Sequence, residues 1–411
     1  MTPSIRFSDF TEDYKSYALH TFMSRIMRKN TKLETDIPLT ISSQDGLVDQ
    51  RTYFGKTIAS SDMSGYYLLK NGEFTYNKST SKGFPFGSIK RLDKYPCGAV
   101  STLYICFALR EEAFDSDYIE HYFDSQKWNK EVSMICAEGA RNHGLLNVPI
   151  DDFFDTLHHL PLSIYEQQKI AAFLSAYDEK IALQKDRVET LEERKKGLLQ
   201  KVFSQEIRFK IDDGIEYPAW EECAVKSVAQ LLNGYTFKSS SYAKNSSGKY
   251  NIITIANVTG EKYISISEKT NKIALLPNDI QEHQKLQEND ILISLTGNVG
   301  RVSLNRGKDN LLNQRVGVLK CKNPKIVEKY LYYSLANSRF QKSMEDIGQG
   351  AAQKNISKEN VEAFLIFLPN VQEQQRIADF FTAIDTQISL AKEKLETLQE
   401  IKKGLLQQMF C

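Results

Sequence analysis

With 411 residues, 41% of them apolar and 26% charged, the chain has material for about two to three domains and is too hydrophobic for a disordered polymer. Its 53 basic and 52 acidic side chains sum to +1, so any strongly charged surface has to be local, and no apolar run approaches a membrane span. The six cysteines form no C-x-x-C pair and stand apart from the six histidines, so reduced thiols, no structural metal and a soluble, cytoplasmic chain without a signal peptide are expected.

In chain order, strand-like runs are expected at Glu73–Tyr76 and Val100–Phe107. Between them a basic cluster, Lys78, Lys82, Lys90, Arg91 and Lys94, meets only one acid, Asp93. An acidic stretch, Glu111 to Asp124, follows, then a helical pattern from Tyr118-Ile119 to Trp128 and a turn at Gly139-Ala140. His158-His159, which lack Cys or carboxylate partners at ligand spacing, are read as an exposed loop pair before Leu160-Pro161. The second region repeats this plan. Its strands are expected at Ile252–Ile255, Ile291–Leu295, Val316–Leu319 and Ala363–Phe367, with a helical pattern from Tyr330-Leu331 to Phe340, a Gly350-Ala351 turn and Leu368-Pro369. From Arg301 to Lys325 it carries seven basic residues against Asp309 alone.

Both regions end in the same segment. Glu166 to Phe203 aligns without gaps on Glu373 to Phe410, with 22 of 38 positions identical, and each half opens on the same tripeptide, Ile5-Arg6-Phe7 and Ile207-Arg208-Phe209. Abundant Glu, Lys, Gln, Leu and Ala and a 3-4 apolar spacing make the segment a helix of about 57 Å. One stripe runs Ile170, Leu174, Tyr177, Ile181, Gln184, Val188, Leu191, Lys195, Leu198, Val202; the other runs Ile377, Phe381, Ile384, Ile388, Ala391, Leu395, Leu398, Lys402, Leu405, Met409. Two matched heptad seams in one chain are natural partners, so an antiparallel pair with a pseudo-twofold relation between halves is expected. The seam lysines Lys195 and Lys402 imply that the seam opens there or that the ammonium snorkels to its edge. The fold class is therefore α+β: mixed regions at 1–160 and 206–369, helical regions at 161–205 and 370–411.

Catalytic signatures are missing. Gly55-Lys56-Thr57 has Gln50 where a phosphate loop opens on Gly, and no G-x-G-x-x-G, H-E-x-x-H or G-x-S-x-G occurs. Asn323-Pro324 is followed by Lys325 rather than the second Pro and aromatic of an amino-methyltransferase clamp.

The two copies of Leu-Pro followed by Glu-Gln-Gln-Lys/Arg-Ile-Ala and a heptad helix ending Lys-Lys-Gly-Leu-Leu-Gln resemble the specificity subunit of type I restriction-modification enzymes. So do Gly65-Tyr66-Tyr67-Leu68-Leu69, Tyr76-Asn77-Lys78-Ser79 and Gly139 to Leu146 in one half, and Asp290 to Arg301, Asn313 to Gly317 and Gly348 to Asn355 in the other. The resemblance implies two target recognition domains joined by two conserved helices packed as an antiparallel coiled coil, with no catalytic activity. Each domain would read one half of a split, asymmetric double-stranded DNA target, and the helices would set the spacer. Implied partners are two methyltransferase subunits, which bind S-adenosylmethionine, and motor-nuclease subunits, which use ATP and Mg2+.

Phosphate contacts bind without specificity, whereas Arg suits guanine and Asn or Gln suits adenine. Candidates near Gly-rich loops are Lys78, Ser79, Lys82, Arg91, Arg141, Asn142 and His143 in the first domain. The second offers Thr296, Asn298, Arg301, Gln314, Arg315, Gln353, Lys354 and Asn355, with Lys320 and Lys322 as phosphate partners. A helical adaptor without DNA recognition is the alternative; a nuclease with a cryptic site would need a carboxylate cluster near Lys that the sequence lacks.

Overall fold

The computed structural model describes residues 2–42, 45–55, 59–110, 114–136, 144–211, 214–243, 248–348 and 354–411. It divides into two compact units, Met1–Lys185 with Glu393–Cys411, and Asp186–Lys392. In chain order the first region carries β1 (Lys15–Ala18), α1 (Leu19–Phe22), β2 (Met23–Ile26), β3 (Leu39–Ser42), β4 (Gly46–Asp49), α2 (Gln50–Phe54), β5 (Tyr67–Lys70), β6 (Phe74–Asn77) and β7 (Ser88–Arg91). It continues with β8 (Cys97–Val100), β9 (Ile105–Leu109), α3 (Ser116–Asp124), α4 (Asn129–Ile135), α5 (Ile150–Phe154), β10 (Leu157–Leu160) and the long α6 (Ile164–Phe203). The second holds β11 (Glu221–Ala224), β12 (Ala229–Asn233), β13 (Tyr250–Ile253), β14 (Lys272–Ile273), β15 (Ile291–Ser294), β16 (Val302–Leu304), β17 (Asn310–Leu312) and β18 (Val316–Cys321). It closes with α7 (Glu328–Leu335), α8 (Ser338–Gly348), α9 (Lys358–Ala363), β19 (Leu365–Leu368) and the long α10 (Val371–Met409). No described helix is long and apolar enough to cross a membrane.

Each unit is built on a four-stranded antiparallel sheet, ordered β2-β9-β6-β7 in one and β12-β18-β15-β16 in the other. The strand orders correspond one to one, so the repeat extends into regions whose sequences diverge. A second ribbon pairs the first strand of each region with its last, β1 with β10 and β11 with β19. Most strands of these sheets, β6, β7, β9, β15, β16 and β18, are buried almost continuously rather than alternately, so each needs only a short run of residues that can be covered on both faces, and the loop sequences between strands are left free. The expected run Val100–Phe107 is interrupted, because Tyr104 N–H bonds back to Ser101 O at 3.1 Å in a turn between β8 and β9. Ala363 likewise belongs to α9, whose Ser357–Asn360 capping box starts a helix where a strand was expected to begin.

The Glu-Gln-Gln signature has a structural reason. Glu166, 2% exposed, receives Arg6 through two bonds of 2.6 and 2.8 Å, and Glu373, fully buried, receives Arg208 at 2.9 Å and Trp220 Nε1 at 2.8 Å. The following glutamine bridges two segments: Gln167 Oε1 accepts Asp115 N–H and its Nε2 donates to Pro161 O, while Gln374 Oε1 accepts Val327 N–H and its Nε2 donates to Pro369 O. Asp115 and Val327 are the N-cap residues of α3 and α7, so this amide satisfies an exposed backbone donor next to each helix start. The tripeptides dock alike: Phe7 meets Phe173 edge-on at 5.8 Å, and Phe209 meets Phe380 at 5.4 Å.

Every predicted seam residue of α6 and α10 is buried or half-buried, but the ends of the seams do more than meet each other. In the first unit Ile170 and Leu174 join Leu406, Met409 and Phe410 in a core with Tyr118, Tyr122, Phe123 and Trp128, and Leu405 packs against it. In the second, Leu199, Val202 and Phe203 share a core with Ile377, Phe381, Tyr330 and Phe340, flanked by Leu198 and Ile384. Tyr177, Ile181, Leu191, Leu395 and Leu398 are half-buried, whereas Val188 and Ile388 are 7% and 8% exposed. The seam lysines neither open the seam nor snorkel. Lys195 pairs with Asp385 in one unit and Lys402 with Asp178 in the other, an ion pair at each heptad position that would otherwise require an apolar residue.

His158 overturns the loop expectation. It lies on β10, is 2% exposed, and is held by Tyr122 Oη at Nδ1 (2.8 Å) and Thr156 Oγ1 at Nε2 (2.9 Å). Burial, assisted by His159, pushes its pKa down to about 3, so the ring is neutral.

Candidate nucleic-acid interface

Most second-region candidates converge on one end of the four-stranded sheet. The turn leaving β15 carries Thr296, Asn298 and Arg301, and it is pinned by buried Ser294, whose hydroxyl donates to Asn298 O and accepts Arg301 N–H at 3.1 Å. Gly300 has φ +75, and a Cβ there would lie 2.7 Å from Met344 Cβ, so this turn requires glycine. Beside it, Gln314 and Arg315 enter β18 over an Asn313 turn in which Asn313 Oδ1 accepts Arg315 N–H at 3.2 Å. Leu295 N–H bonds to Arg315 O at 3.0 Å and ties the two turns together. Lys354 and Asn355 complete the face: Thr296 bridges Asn355, and Gly297 N–H donates to Lys354 O at 2.8 Å. Gln353 lies outside the described residues.

The first unit builds the same arrangement. Ser79, leaving β6, bridges Leu145 as Thr296 bridges Asn355; Thr80 N–H donates to Gly144 O at 2.8 Å, and Leu146 N–H to Lys78 O at 3.0 Å. Asn77 Oδ1 accepts Ser79 N–H at 3.0 Å, and Lys82 is exposed on the adjoining turn. Arg141, Asn142 and His143 lie outside the described residues. In both units the segment entering from the region's last third pairs with the exit of the third strand in the sheet, so different side chains are displayed on one frame.

Electrostatics divides the cations. Among the described residues no carboxylate pairs with Arg301, Arg315, Lys354, Lys322 or Lys82, leaving their charges available to an anion. Arg91 is a correction: its guanidinium, 13% exposed, is held by Asp93, Asp117 and Glu120 at 2.7, 2.7 and 2.8 Å, which leaves little of it for DNA. Lys320 is committed to Asp290. Lys320, near the far end of β18, and Lys322, just past it, lie about 16 Å and about 23 Å from Arg315 along an extended strand, so the basic run 301–325 splits into two places.

Sequence reading missed the segment Gly234-Tyr235-Thr236, which backs the Gln314 turn, although its Gly-aromatic dipeptide after a strand was a signal for close backbone approach. It also missed Asp178 and Asp385, which occupy identical positions in the aligned repeats.

Residues 218–400 match the family described as the type I restriction modification DNA specificity domain. The chain is 28% identical over 262 residues to the type I restriction enzyme MjaVIII specificity subunit of Methanocaldococcus jannaschii, covering 60% of each. It is 30% identical over 291 residues to that organism's putative MjaX specificity subunit, covering 67% of this chain and 63% of the relative, so it spans less than two thirds of these relatives' lengths. In fold it is similar to the S subunit of a type I restriction-modification system from M. genitalium (TM-score 0.55, 14% identity, 100% and 99% covered). It is also similar to a chain from a structure of complex assembly and conformational transition in a type I system (TM-score 0.59, 16% identity, 97% and 98% covered). Residues 218–400 thus carry a type I restriction modification DNA specificity domain, and over 60% to 67% of its length the chain is similar to type I restriction enzyme specificity subunits.

Proposed function

We propose that the chain binds a bipartite, asymmetric duplex DNA target, one half-site per globular region, and is the non-catalytic scaffold of a methyltransferase and restriction complex. The observation that carries this is the pair of equivalent turns at the exits of β6 and β15, which present different polar side chains from a common frame. Regions 1–160 and 206–369 are the target recognition domains, and regions 161–205 and 370–411 are the helical spacer, an antiparallel pair related by a pseudo-twofold. Two methyltransferase subunits dock on it and bring S-adenosylmethionine; restriction and translocation subunits bring ATP and Mg2+. The complex works in the cytoplasm. Arg315, Gln314, Asn298, Asn355 and Ser79 are the base readers, and Lys82, Arg301, Lys322 and Lys354 neutralise phosphates.

The test is selection of duplexes from a random pool by the chain assembled with its methyltransferase. Two short conserved motifs at fixed separation are expected. Enrichment without a second motif, or binding that tracks salt but not sequence, would return the chain to the helical-adaptor reading.

A further inference from the structure

Gln314 is a long exposed side chain, and an unrestrained glutamine loses several rotors on contacting a base. In this chain it is not unrestrained. Thr236 Oγ1 donates to Gln314 Oε1 at 2.6 Å. The backbone behind it is fastened twice: Gln314 N–H donates to Tyr235 O at 2.9 Å, and Tyr235 N–H to Leu312 O at 2.8 Å. Gly234 lies so close that a Cβ would stand 2.2 Å from Asn313 O. Tyr235 is itself anchored by its hydroxyl on Asp279 at 2.7 Å and by its ring against buried Phe237 at 4.9 Å. The segment 234–237 is thus a strut built against the Gln314 turn, with Thr236 at its tip, and a β-branched side chain there has few χ1 choices.

We infer that Thr236 is a positioning residue for base readout by Gln314, and that the pair selects a base edge presenting a hydrogen-bond acceptor in the major groove. The hydroxyl engages Oε1, so the amide turns its two Nε2 hydrogens outward, toward acceptors such as purine N7 or thymine O4. The inference rests on the DNA-recognition reading and adds to it a residue outside the loops that touch the target.

The experiment uses the full chain assembled with its methyltransferase, and compares wild type, Gln314→Ala, Thr236→Val and Thr236→Ser on a random duplex pool. Thr236→Val keeps the shape and removes the donor, and because Thr236 is exposed the fold should survive, which a thermal melt checks. Discrimination at one base pair of the second half-site should fall at least about tenfold in both Gln314→Ala and Thr236→Val and return in Thr236→Ser, with non-cognate affinity and salt slope unchanged. Wild-type preference in Thr236→Val, a uniform loss at all positions, or no base-specific effect of Gln314→Ala would overturn it. Absence of any sequence selection by the wild-type complex is a different failure, since it would remove the DNA-recognition reading on which the proposal stands.

Discussion

Lys195 of α6 pairs with Asp385 of α10 at 2.6 Å, and its repeat-equivalent Lys402 pairs with Asp178, so one ion pair is written twice in the chain. The two copies are not energetically equal. Asp385 is 4% exposed at its side chain and also receives Lys262 at 3.1 Å and Tyr333 Oη at 2.6 Å. Asp178 is 46% exposed, and the position equivalent to Tyr333 is His121, whose Nδ1 stands 3.9 Å away.

Removing the buried member should therefore cost more. Asp385→Ala would leave two ammonium groups facing an empty site and should destabilise by about 3–5 kcal/mol, whereas Asp178→Ala should cost no more than about 1 kcal/mol. Urea denaturation of the two variants decides it, and equal losses would show that burial does not set the strength of these pairs.

His158 predicts acid sensitivity of the first unit. Its folded pKa of about 3 lies below its ordinary value near 6.5, so the unfolded chain takes up a proton that the folded chain refuses. The stabilisation is complete above pH 6.5 and is lost as pH falls toward 3, by up to about 1.4 kcal/mol per unit. His158→Gln, which keeps hydrogen-bonding capacity for Tyr122 and Thr156, should flatten the stability profile between pH 6.5 and 4. A variant as acid-sensitive as wild type would assign that slope to other groups.

The three kinds of cation separate by assay. Arg315→Ala should cost about 1–3 kcal/mol against one base of the second half-site only. Lys322→Ala should weaken all sequences alike and reduce the salt slope by about one. Arg91→Ala should leave DNA preference intact and lower the stability of the first unit, because it strands Asp93, Asp117 and Glu120, the last already pushed up to about 7 by burial. Measuring affinity across single-base variants at two salt concentrations, with a parallel melt, distinguishes them; a base-specific effect of Arg91→Ala would return it to the readers.

What the sequence made legible was what repeats locally. The heptad stripes, the Leu-Pro and Glu-Gln-Gln signatures and the turns near Asn298 and Arg315 all express spacing within a dozen residues, and spacing survives divergence. What it hid was pairing at a distance. That Asp93, Asp117 and Glu120 claim Arg91, or that Tyr122 and Thr156 bury His158, depends on which strands and helices are neighbours, and no period in the chain encodes that. The common sheet order of the two regions was invisible for the converse reason: its strands are short runs buried almost continuously, which very different residues can supply and which carry no period of their own.

The spacer reading makes the last prediction. Gln184 sits on α6 among the protected seam residues, and four residues inserted after it add about one helical turn, roughly 6 Å. That is close to two base-pair steps at about 3.4 Å each. If α6 and α10 act as a ruler, the assembled complex should select the same two half-sites at a longer separation. Inserting four alanines rather than three also keeps the following seam residues near their original face, since 3.6 residues complete a turn. A three-residue insertion is the control: it turns the downstream seam the other way about the helix axis and should destabilise the chain more. Half-sites with altered bases at the original separation would mean that the helices tune the recognition domains instead of spacing them.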